Sequence, residues 1–435
     1  MVLATGHAGT LRDRGRSTAV AAAGGTMKAL IVDPGVRSLG GHHYNAVQRL
    51  QRELAALGVA APCLGSAYAE RDVIDALACH PTFRRSVYGR SYTAGEFDAS
   101  VAQTADDLAG GLHRHGMADL LILPCGDQVL AAALAQRLAR AWLARPVVLL
   151  WLLYAPHHLK AADDPTTTDL RTEYRKAFAT LKSRTDDGHR LRIYCETTPL
   201  ADFYRDLLGL EVGVRPSPGL VAPHRAAHTK TDRAPVVACI GFANRPKGYR
   251  LLPHAIAHVL AERPDVRFAI HGIVKGSDAE GDQPVFDHLR EFGERVTVRQ
   301  DVLSADDYLA WLAKADLLLL PYDPEIYRSR GLGVFTDARN LALPIVAPAG
   351  CAFAEPAFEE GWGVAMRTYD GRGLSEAMLI ALGRLPTLRA EAGRAAARSD
   401  DDLGALLRRA ADDAGASDAP GVRGFLHRLH RRMAI

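Results

Sequence analysis

The stretch that decides the fold is Leu317–Pro348, LLLLPYDPEIYRSRGLGVFTDARNLALPIVAP. Its four leading leucines, ended by Pro321, are typical of a buried parallel strand. A loop follows that contains Gly331 and Gly333, whose missing side chains let backbone N–H groups approach an anion. The pattern then predicts a helix from Gly331 and a second strand at 343–347. This is a βαβ crossover, and its loop lies at the carboxyl end of the first strand, where α/β sheets bind ligands.

The same residues resemble the donor-nucleotide region of GT-B-fold glycosyltransferases. The shared pattern is a Tyr, a Gly-rich turn, an acid followed by Ala, then a small residue, Pro and two β-branched residues. It falls here on Tyr327, Gly331, Gly333, Asp337, Ala338, Ala342, Pro344, Ile345 and Val346. The resemblance implies an α/β protein with two Rossmann-like, doubly wound domains that face each other across a cleft and bind a nucleotide sugar.

Two positions depart from the family pattern. The family acid that binds the ribose is usually Glu, and Asp337 is one methylene shorter. Ser329 stands where the family has the earlier Glu of its paired-glutamate motif. The resemblance therefore implies a nucleotide contact at Asp337 but leaves the sugar-contacting position without its acid.

A second basic loop follows the predicted strand at 236–242. Sugar transfer from a nucleoside diphosphate leaves a diphosphate, which needs cations and N–H donors at its oxygens. The loop, ANRPKG, contains Arg245 and Lys247, and the family commonly has an Arg and a Lys-Gly here that bind the diphosphate. A solvated loop with two basic residues is the alternative. Gly272, at the end of the next predicted strand (266–271), is a further nucleotide-binding candidate.

The first regular pattern in the chain is a strand at 28–33, a Gly-rich loop, and an amphipathic helix that ends near Gly58. Many family members have Gly-Gly-His where Gly40, Gly41 and His42 stand, which makes Gly41 a binding candidate. The loop lacks G-x-G-x-x-G, and no acidic residue ends the second strand. These absences argue against dinucleotide binding.

Histidines and one aspartate are the catalytic candidates of the N-terminal half. His42 or His43 could hold the sugar or acceptor, or transfer a proton, because imidazole titrates near neutrality. Packing at the helix start is the alternative. His157 and His158 follow a predicted strand, where a histidine contacts the donor sugar in related enzymes, and which member of each pair faces the cleft stays open. Asp33 closes the first strand as a candidate base or as an anchor for loop N–H groups.

Length and composition agree with a two-domain globular protein. The 435 residues suit two domains of about 200 residues each. The net charge of +3 argues against a nucleic-acid binder held by counterion release. Six scattered cysteines without a CxxC pair predict buried free thiols in a reducing cytoplasm. No apolar run approaches the roughly 20 residues of a membrane span.

We expect five segments along the chain. Residues 1–26 lack a periodic pattern and predict a disordered extension. Residues 27–215 predict the N-terminal, acceptor-side domain, and the proline-containing stretch 216–235 predicts the linker. Residues 236–400 predict the nucleotide-sugar-binding domain. Residues 401–435 predict helices, with packing back on the N-terminal domain as one arrangement.

The end of the chain is basic and amphipathic. The residues that make it so are Arg423, Phe425, Arg428, Leu429, Arg431 and Arg432. We favour a solvated helix packed on the N-terminal domain over a membrane anchor. Peripheral contact with the inner face of a membrane stays open for a protein that we expect to be cytoplasmic.

Together these features predict a glycosyltransferase that moves a hexosyl or related sugar from a UDP- or GDP-type nucleotide sugar to a glycan, lipid-linked or small-molecule acceptor. The nucleotide sugar is the substrate, and no cofactor is expected. The resemblance implies no bound metal, because basic side chains and a helix N-terminus meet the charge of the diphosphate. Two alternatives stay open: a nucleotide-sugar 2-epimerase of the same fold, and a glycan-assembly scaffold that has lost turnover.

Overall fold

The computed structural model describes residues 27–39, 41–85, 94–116, 118–140, 146–156, 165–185, 190–219, 233–274 and 279–415. The expected extension at 1–26, most of the expected linker, and the basic tail from residue 416 lie outside the described residues. So do Gly40, His157 and His158. The described chain is an α/β protein with two parallel sheets covered by helices, as the sequence predicts.

The N-terminal lobe is built on seven parallel strands. They are β1 (Ala29–Val32), β2 (Cys63–Ser66), β3 (Cys79–Phe83), β4 (Leu120–Leu123), β5 (Val147–Trp151), β6 (Leu191–Cys195) and β7 (Val212–Val214). Their order in the sheet is β3-β2-β1-β4-β5-β6-β7. The helices are α1 (Gly41–Ala56), α2 (Arg71–Leu77), α3 (Ala94–His115), α4 (Gln128–Arg140), α5 (Pro165–Arg184) and α6 (Thr198–Leu208).

The C-terminal lobe has a six-stranded parallel sheet. Its strands are β8 (Val236–Ala243), β9 (Arg267–Val274), β10 (Val296–Arg299), β11 (Leu317–Leu319), β12 (Ile345–Pro348) and β13 (Gly363–Met366), in the order β10-β9-β8-β11-β12-β13. The helices are α7 (Leu252–Glu262), α8 (Ala279–Glu291), α9 (Ala305–Lys314), α10 (Pro324–Tyr327), α11 (Gly333–Asn340), α12 (Glu355–Glu359), α13 (Gly371–Gly383) and α14 (Leu385–Gly415). Both sheets place β1 or β8 near the middle, so strand order changes direction there and leaves a crevice at the carboxyl ends.

Thr197 and Ser304 each precede a helical pattern in the sequence, where Thr and Ser are typical N-caps, and the structure confirms both caps. Thr197 Oγ1 accepts a hydrogen bond from Leu200 N at 3.4 Å, and Ser304 Oγ accepts one from Asp307 N at 3.1 Å. Each bond satisfies a backbone donor that a helix leaves unpaired at its start. The residue after β6 and the residue before α9 are thereby fixed.

Several predicted boundaries move. The sequence from Tyr249 to Glu262 predicts a helix, but α7 begins only at Leu252, because short 3-10 turns occupy 245–247 and 249–251. The crossover helix begins at Gly333 rather than Gly331. Strand β9 continues through Gly272 to Val274 instead of ending before it.

One strand was not foreseen. The stretch after Ser66 forms α2 and the edge strand β3, which pairs in parallel with β2. The β3 sequence, CHPTF, has only its first and last residues buried. It therefore lacks both the continuous apolar run and the clean alternation that predict a strand.

Helix α14 belongs to both lobes. Its first half contributes Leu388 to the core of the C-terminal lobe. Its second half contributes Leu407, Ala410 and Ala414 to the core beneath α1 in the N-terminal lobe. The boundary expected at residue 400 therefore falls inside one continuous helix, and the chain packs back on the N-terminal lobe without a break.

All six cysteines are buried and unpaired, as predicted. In the part of the chain that the structure describes, no helix combines the length and the apolar character needed to span a bilayer.

Candidate functional site

The two lobes meet at their carboxyl-terminal sheet edges. We call residues 320–332, which join β11 to α11, the central loop. Thr197 Oγ1, just after β6, donates a hydrogen bond to the carbonyl oxygen of Ser329 at 2.6 Å. Gly331 packs on Glu196, and a Cβ added at Gly333 would lie 3.7 Å from His42 Cβ. The central loop therefore contacts the end of β6, and the first residue of α11 lies near His42 at the start of α1.

Aromatic packing fixes the shape of the central loop. Asp323 Oδ1 accepts from Glu325 N at 3.0 Å and starts the single turn of α10. The ring of Tyr327 lies edge-on to Tyr322 at 4.9 Å and to Phe353 at 5.8 Å between centroids. Tyr327 is only 6% exposed. It is therefore part of the wall behind the site, not a side chain open to the cleft.

Close packing at Gly248 holds the neighbouring Lys247 against the central loop. Gly248 has φ +68°, and a Cβ there would lie 1.9 Å from the carbonyl oxygen of Pro321. Only glycine permits that approach. Asp323 N also donates to Pro246 O at 2.8 Å, which ties the basic loop to the central loop. Lys247 is thereby held against the central loop.

Lys247 and Arg330 place two positive charges close together. Lys247 Nζ lies over the rings of Phe242 and Tyr322 at 5.6 and 5.7 Å. The pKa of Lys247 is lowered to about 8, mainly by burial; the nearby Cys239 thiol opposes the shift and the charge of Arg330 adds to it. No carboxylate is among the groups that shift this pKa, so an anion bound here would stabilise the charged lysine.

Arg330 bridges the lobes. Its guanidinium lies over Tyr327 of the C-terminal lobe at 4.9 Å and over Tyr154, which follows β5, at 5.2 Å. Its Nε is buried and has no hydrogen-bond partner among the described residues. Stacking holds the cation without neutralising it. Arg330 is not among the site residues predicted from the sequence.

Glu196 is a site residue that the sequence analysis missed. Burial raises the pKa of its carboxyl group, opposed by hydrogen bonds from Ser217 and by the charge of Arg330. Ser217 Oγ donates to Glu196 Oε1 at 2.6 Å. The available signal was its position, an acid directly after a parallel strand and before a capping threonine.

Asp33 is an anchor in this structure. It is fully buried, accepts from Gly35 N at 2.9 Å through Oδ1, and pairs with His43 Nδ1 at 2.9 Å through Oδ2. A Cβ at Gly35 would lie 2.1 Å from the His43 ring, so the glycine makes room for the imidazole. Of the two roles proposed for Asp33, the geometry matches tying down the loop.

His42 and His43 sit together beside Cys125. Their ring centroids are 4.0 Å apart. Burial lowers the pKa of His42 to about 3, helped by His43 and opposed by Asp33. One ring nitrogen of each histidine and the Cys125 sulfur all lie within 4.8 Å of one another. Burial raises the pKa of the Cys125 thiol, and nearby Asp33 adds to the effect.

Asp337 lies on α11 and is buried beneath the segment that contains Gly219. It is 5% exposed, and its Oδ2 accepts from Tyr308 Oη at 2.8 Å. A Cβ at Gly219 would lie 3.1 Å from Asp337 Oδ1, so the segment that leaves the N-terminal lobe passes over it. Tyr308 supports this carboxylate and was not singled out from the sequence.

Three predicted residues lie elsewhere. Arg245 is exposed at the end of β8. Gly272 is buried, and a Cβ there would meet Phe286 at 2.3 Å, so it serves the packing of β9. Gly41 is exposed with φ +73°, a conformation that begins α1. His157 lies outside the described residues.

Comparison with known proteins gives a family match in the C-terminal lobe. Residues 234–383, which hold the basic and central loops, match the family model described as glycosyl transferases group 1. The chain has the GT-B fold. Comparison with curated protein sequences gives no match.

Solved structures share this GT-B fold over nearly their whole length. The catalytic domain of starch synthase IV from Arabidopsis thaliana, bound to ADP and acarbose, has a TM-score of 0.61 at 11% identity and covers 90% of this chain and 100% of its own. Sucrose-phosphate synthase from Thermosynechococcus elongatus has a TM-score of 0.56 at 15% identity, and the match covers 88% of this chain and 98% of the synthase chain. A putative UDP-N-acetylglucosamine 2-epimerase from Listeria monocytogenes has a TM-score of 0.50 at 12% identity, and the match covers 88% of this chain and 98% of the epimerase chain.

The contact between Gly331 and Glu196 generates a steric prediction. In Gly331→Ala, the new Cβ would lie 2.0 Å from Glu196 Oε2 and 2.4 Å from its Cβ. We expect a loss of about 1–3 kcal/mol in unfolding free energy, because Glu196 must shift as a whole. Urea unfolding measures it. Gly333→Ala, whose Cβ finds ordinary contact at 3.7 Å, is the matched control; equal losses in both variants contradict the assignment.

The buried charge of Lys247 generates a pH prediction. Its pKa falls from the usual 10.5 to about 8, so the folded protein binds this proton more weakly than the unfolded chain. The charged Lys247 therefore lowers the unfolding free energy. This destabilisation is complete below about pH 8 and fades as the pH rises to 10.5. Lys247→Met should raise the unfolding free energy by about 1–3 kcal/mol at pH 7, and the gain should shrink towards pH 10.

Urea unfolding of both proteins at a series of pH values measures this difference. The exposed Lys314→Met is the control and should show no such pH-dependent gain. A gain for Lys247→Met that is constant from pH 7 to 10 contradicts a lowered pKa.

Proposed function

We propose that this protein is a glycosyltransferase that uses a nucleoside-diphosphate sugar as its donor. The observation that carries the proposal is a pair of neighbouring cations in the C-terminal lobe, Lys247 and Arg330. Arg330 also reaches Tyr154 of the N-terminal lobe, and its Nε has no hydrogen-bond partner among the described residues. The family match over the lobe that supplies both residues supports it. A diphosphate leaving group is the anion that such a pair would stabilise.

The diphosphate role is assigned to Lys247, Arg330 and the amides at the start of α11. Guanidinium binds phosphate oxygens through a planar fork, whereas the ammonium of lysine acts as a compact charge. The first turn of α11 adds N–H donors and the positive end of the helix dipole. Arg245, which the family resemblance implies as a diphosphate contact, is exposed two residues before Lys247. The chain meets the leaving charge with its own groups, so we propose a metal-independent transfer.

The ribose role is assigned to Asp337, as the family resemblance implies. Its carboxylate is held by Tyr308 Oη, which leaves the acid oriented on α11. Gly219 lies over it, so a nucleotide reaches Asp337 when the segment leaving the N-terminal lobe moves aside.

The sugar and acceptor side is assigned to the N-terminal lobe. His42 faces the start of α11, where the sugar attached to the diphosphate would begin. Glu196 packs against Gly331 of the central loop, and burial raises the pKa of its carboxyl group, which suits it to hold a proton. His157 remains a sugar-binding candidate from the resemblance. A glycan, lipid-linked or small-molecule hydroxyl would attack from this lobe.

Calorimetric titration with UDP and GDP tests the proposal. The wild-type protein should bind at least one of them, and Lys247→Ala and Arg330→Ala should each weaken binding by about 10- to 100-fold, because each removes a charged contact. Arg372→Ala, which removes an equal charge from an exposed ion pair on α13, should leave the affinity unchanged. Equal affinity in the Lys247→Ala, Arg330→Ala double variant and the wild type overturns the assignment.

An epimerase is the second candidate, favoured by the fold shared with the putative UDP-N-acetylglucosamine 2-epimerase. Both candidates bind the nucleotide, so acceptor dependence separates them. A transferase should consume a nucleotide sugar to form product only when an acceptor is supplied. Chromatography would monitor the products, and release of UDP with an altered sugar in the absence of any acceptor would favour the epimerase. Binding without turnover over a panel of donors and acceptors would favour a scaffold.

A further inference from the structure

His42, His43 and Cys125 form a compact set of soft ligands in the wall of the N-terminal lobe. The two histidines begin α1, and Cys125 follows β4, so the sheet brings together residues more than 80 positions apart. Their ligand atoms, two imidazole nitrogens and one thiol sulfur, lie within 4.8 Å of one another. Cys125 and His43 are buried, and His42 is half-buried.

The spacing is close to that of a bound transition metal. Zinc–nitrogen and zinc–sulfur bonds of about 2.0–2.3 Å in a tetrahedron put ligand atoms roughly 3.4–3.6 Å apart. From separations of at most 4.8 Å, closure requires the atoms to approach by little more than about 1 Å. Imidazole with thiolate selects Zn²⁺ and similar borderline ions over Mg²⁺ or Ca²⁺, which prefer oxygen.

A supporting carboxylate is already in place. Asp33 Oδ2 lies 2.9 Å from His43 Nδ1. In metal sites this contact fixes the imidazole tautomer so that Nε2 is the nitrogen that binds the ion. The other oxygen of Asp33 accepts from Gly35 N at 2.9 Å, and the His43 ring packs on Gly35. Both the ring and its partner are therefore oriented from the protein side.

We propose that His42, His43 and Cys125 bind a single thiophilic divalent transition-metal ion of the Zn²⁺ class, with Asp33 as the hydrogen-bonded partner of His43. Three protein ligands leave the fourth position to a water molecule, as in sites that are not purely structural. On binding, the Cys125 thiol releases its proton to solvent and the sulfur binds as thiolate. The metal ligands include none of the residues assigned to the diphosphate or the ribose. His42 is also assigned to the sugar side of the proposed reaction, so a bound ion would lie at that side of the site.

Cobalt spectroscopy tests the site directly. The full chain, freed of metal by a chelator, is titrated with Co²⁺ and then with Zn²⁺. We expect one Co²⁺ per chain, a thiolate-to-cobalt charge-transfer band in the near ultraviolet, and loss of the band as Zn²⁺ displaces Co²⁺. Cys125→Ser should abolish the band. Asp33→Asn should keep it with an affinity lower by about 10- to 100-fold.

Cys351→Ser is the matched control. Cys351 is also a buried thiol, and it donates to Tyr322 O, a bond that serine preserves. This variant should keep the full cobalt band. His42→Ala, checked for folding by circular dichroism, should weaken Co²⁺ binding by at least about 10-fold because one of three protein ligands is lost.

The assignment fails if the folded wild-type protein shows no thiolate band, if the band survives in Cys125→Ser, or if Cys351→Ser loses it equally. These results concern metal binding alone. Failure of nucleotide binding would overturn the proposed function and leave the metal site standing, and the reverse also holds.

Discussion

Bringing the ammonium of Lys247 and the guanidinium of Arg330 together inside a partly desolvated cleft is unfavourable by itself, and much of the surrounding structure exists to hold them there. Helix α11 begins three residues after Arg330, and the first turn of a helix carries partial positive charge. Aromatic rings beside the cations supply negative faces without supplying an anion. Burial and the charge of Arg330 both lower the pKa of Lys247. An anion bound beside these two cations would relieve the repulsion between them.

The two sides of the central loop carry opposite chemistry. On one side lie the cations and the helix start, and on the other Glu196 presses against Gly331 with its carboxyl group buried. Arg330 links the two, since its charge favours the ionised form of Glu196 while its ring partners come from both lobes. Binding of an anion to Arg330 would weaken that influence and favour the protonated acid. The protonation of Glu196 would then depend on whether an anion is bound at Arg330.

Local sequence patterns were enough to predict the elements that depend on near neighbours. The crossover around the central loop, the caps at Thr197 and Ser304, and the buried thiols follow from composition and spacing within a few residues. The parallel α/β class follows from strands that alternate with helices. The start of α7 was misplaced, because a sequence read for a 3.6-residue period does not register two preceding 3-10 turns.

Contacts between residues far apart in the sequence could not be predicted in this way. Glu196 meets Gly331 across more than 130 positions, and Cys125 meets His42 across more than 80. Nothing in either local segment indicates its partner. The same limit applies to Gly248, where the motif was visible but its cause, the carbonyl of Pro321 lying against it, required the coordinates.

Helix α14 limits how the molecule can open. It is 31 residues long, about 46 Å at helical rise, and each half is built into the core of a different lobe. A translation that moves one lobe directly away from the other would therefore expose leucines at one end of α14. Entry of a large substrate should occur by a swing that bends this helix near its middle and widens the crevice most at the edge farthest from it. Long chains would then thread in from that far edge, and small ones would need the least movement.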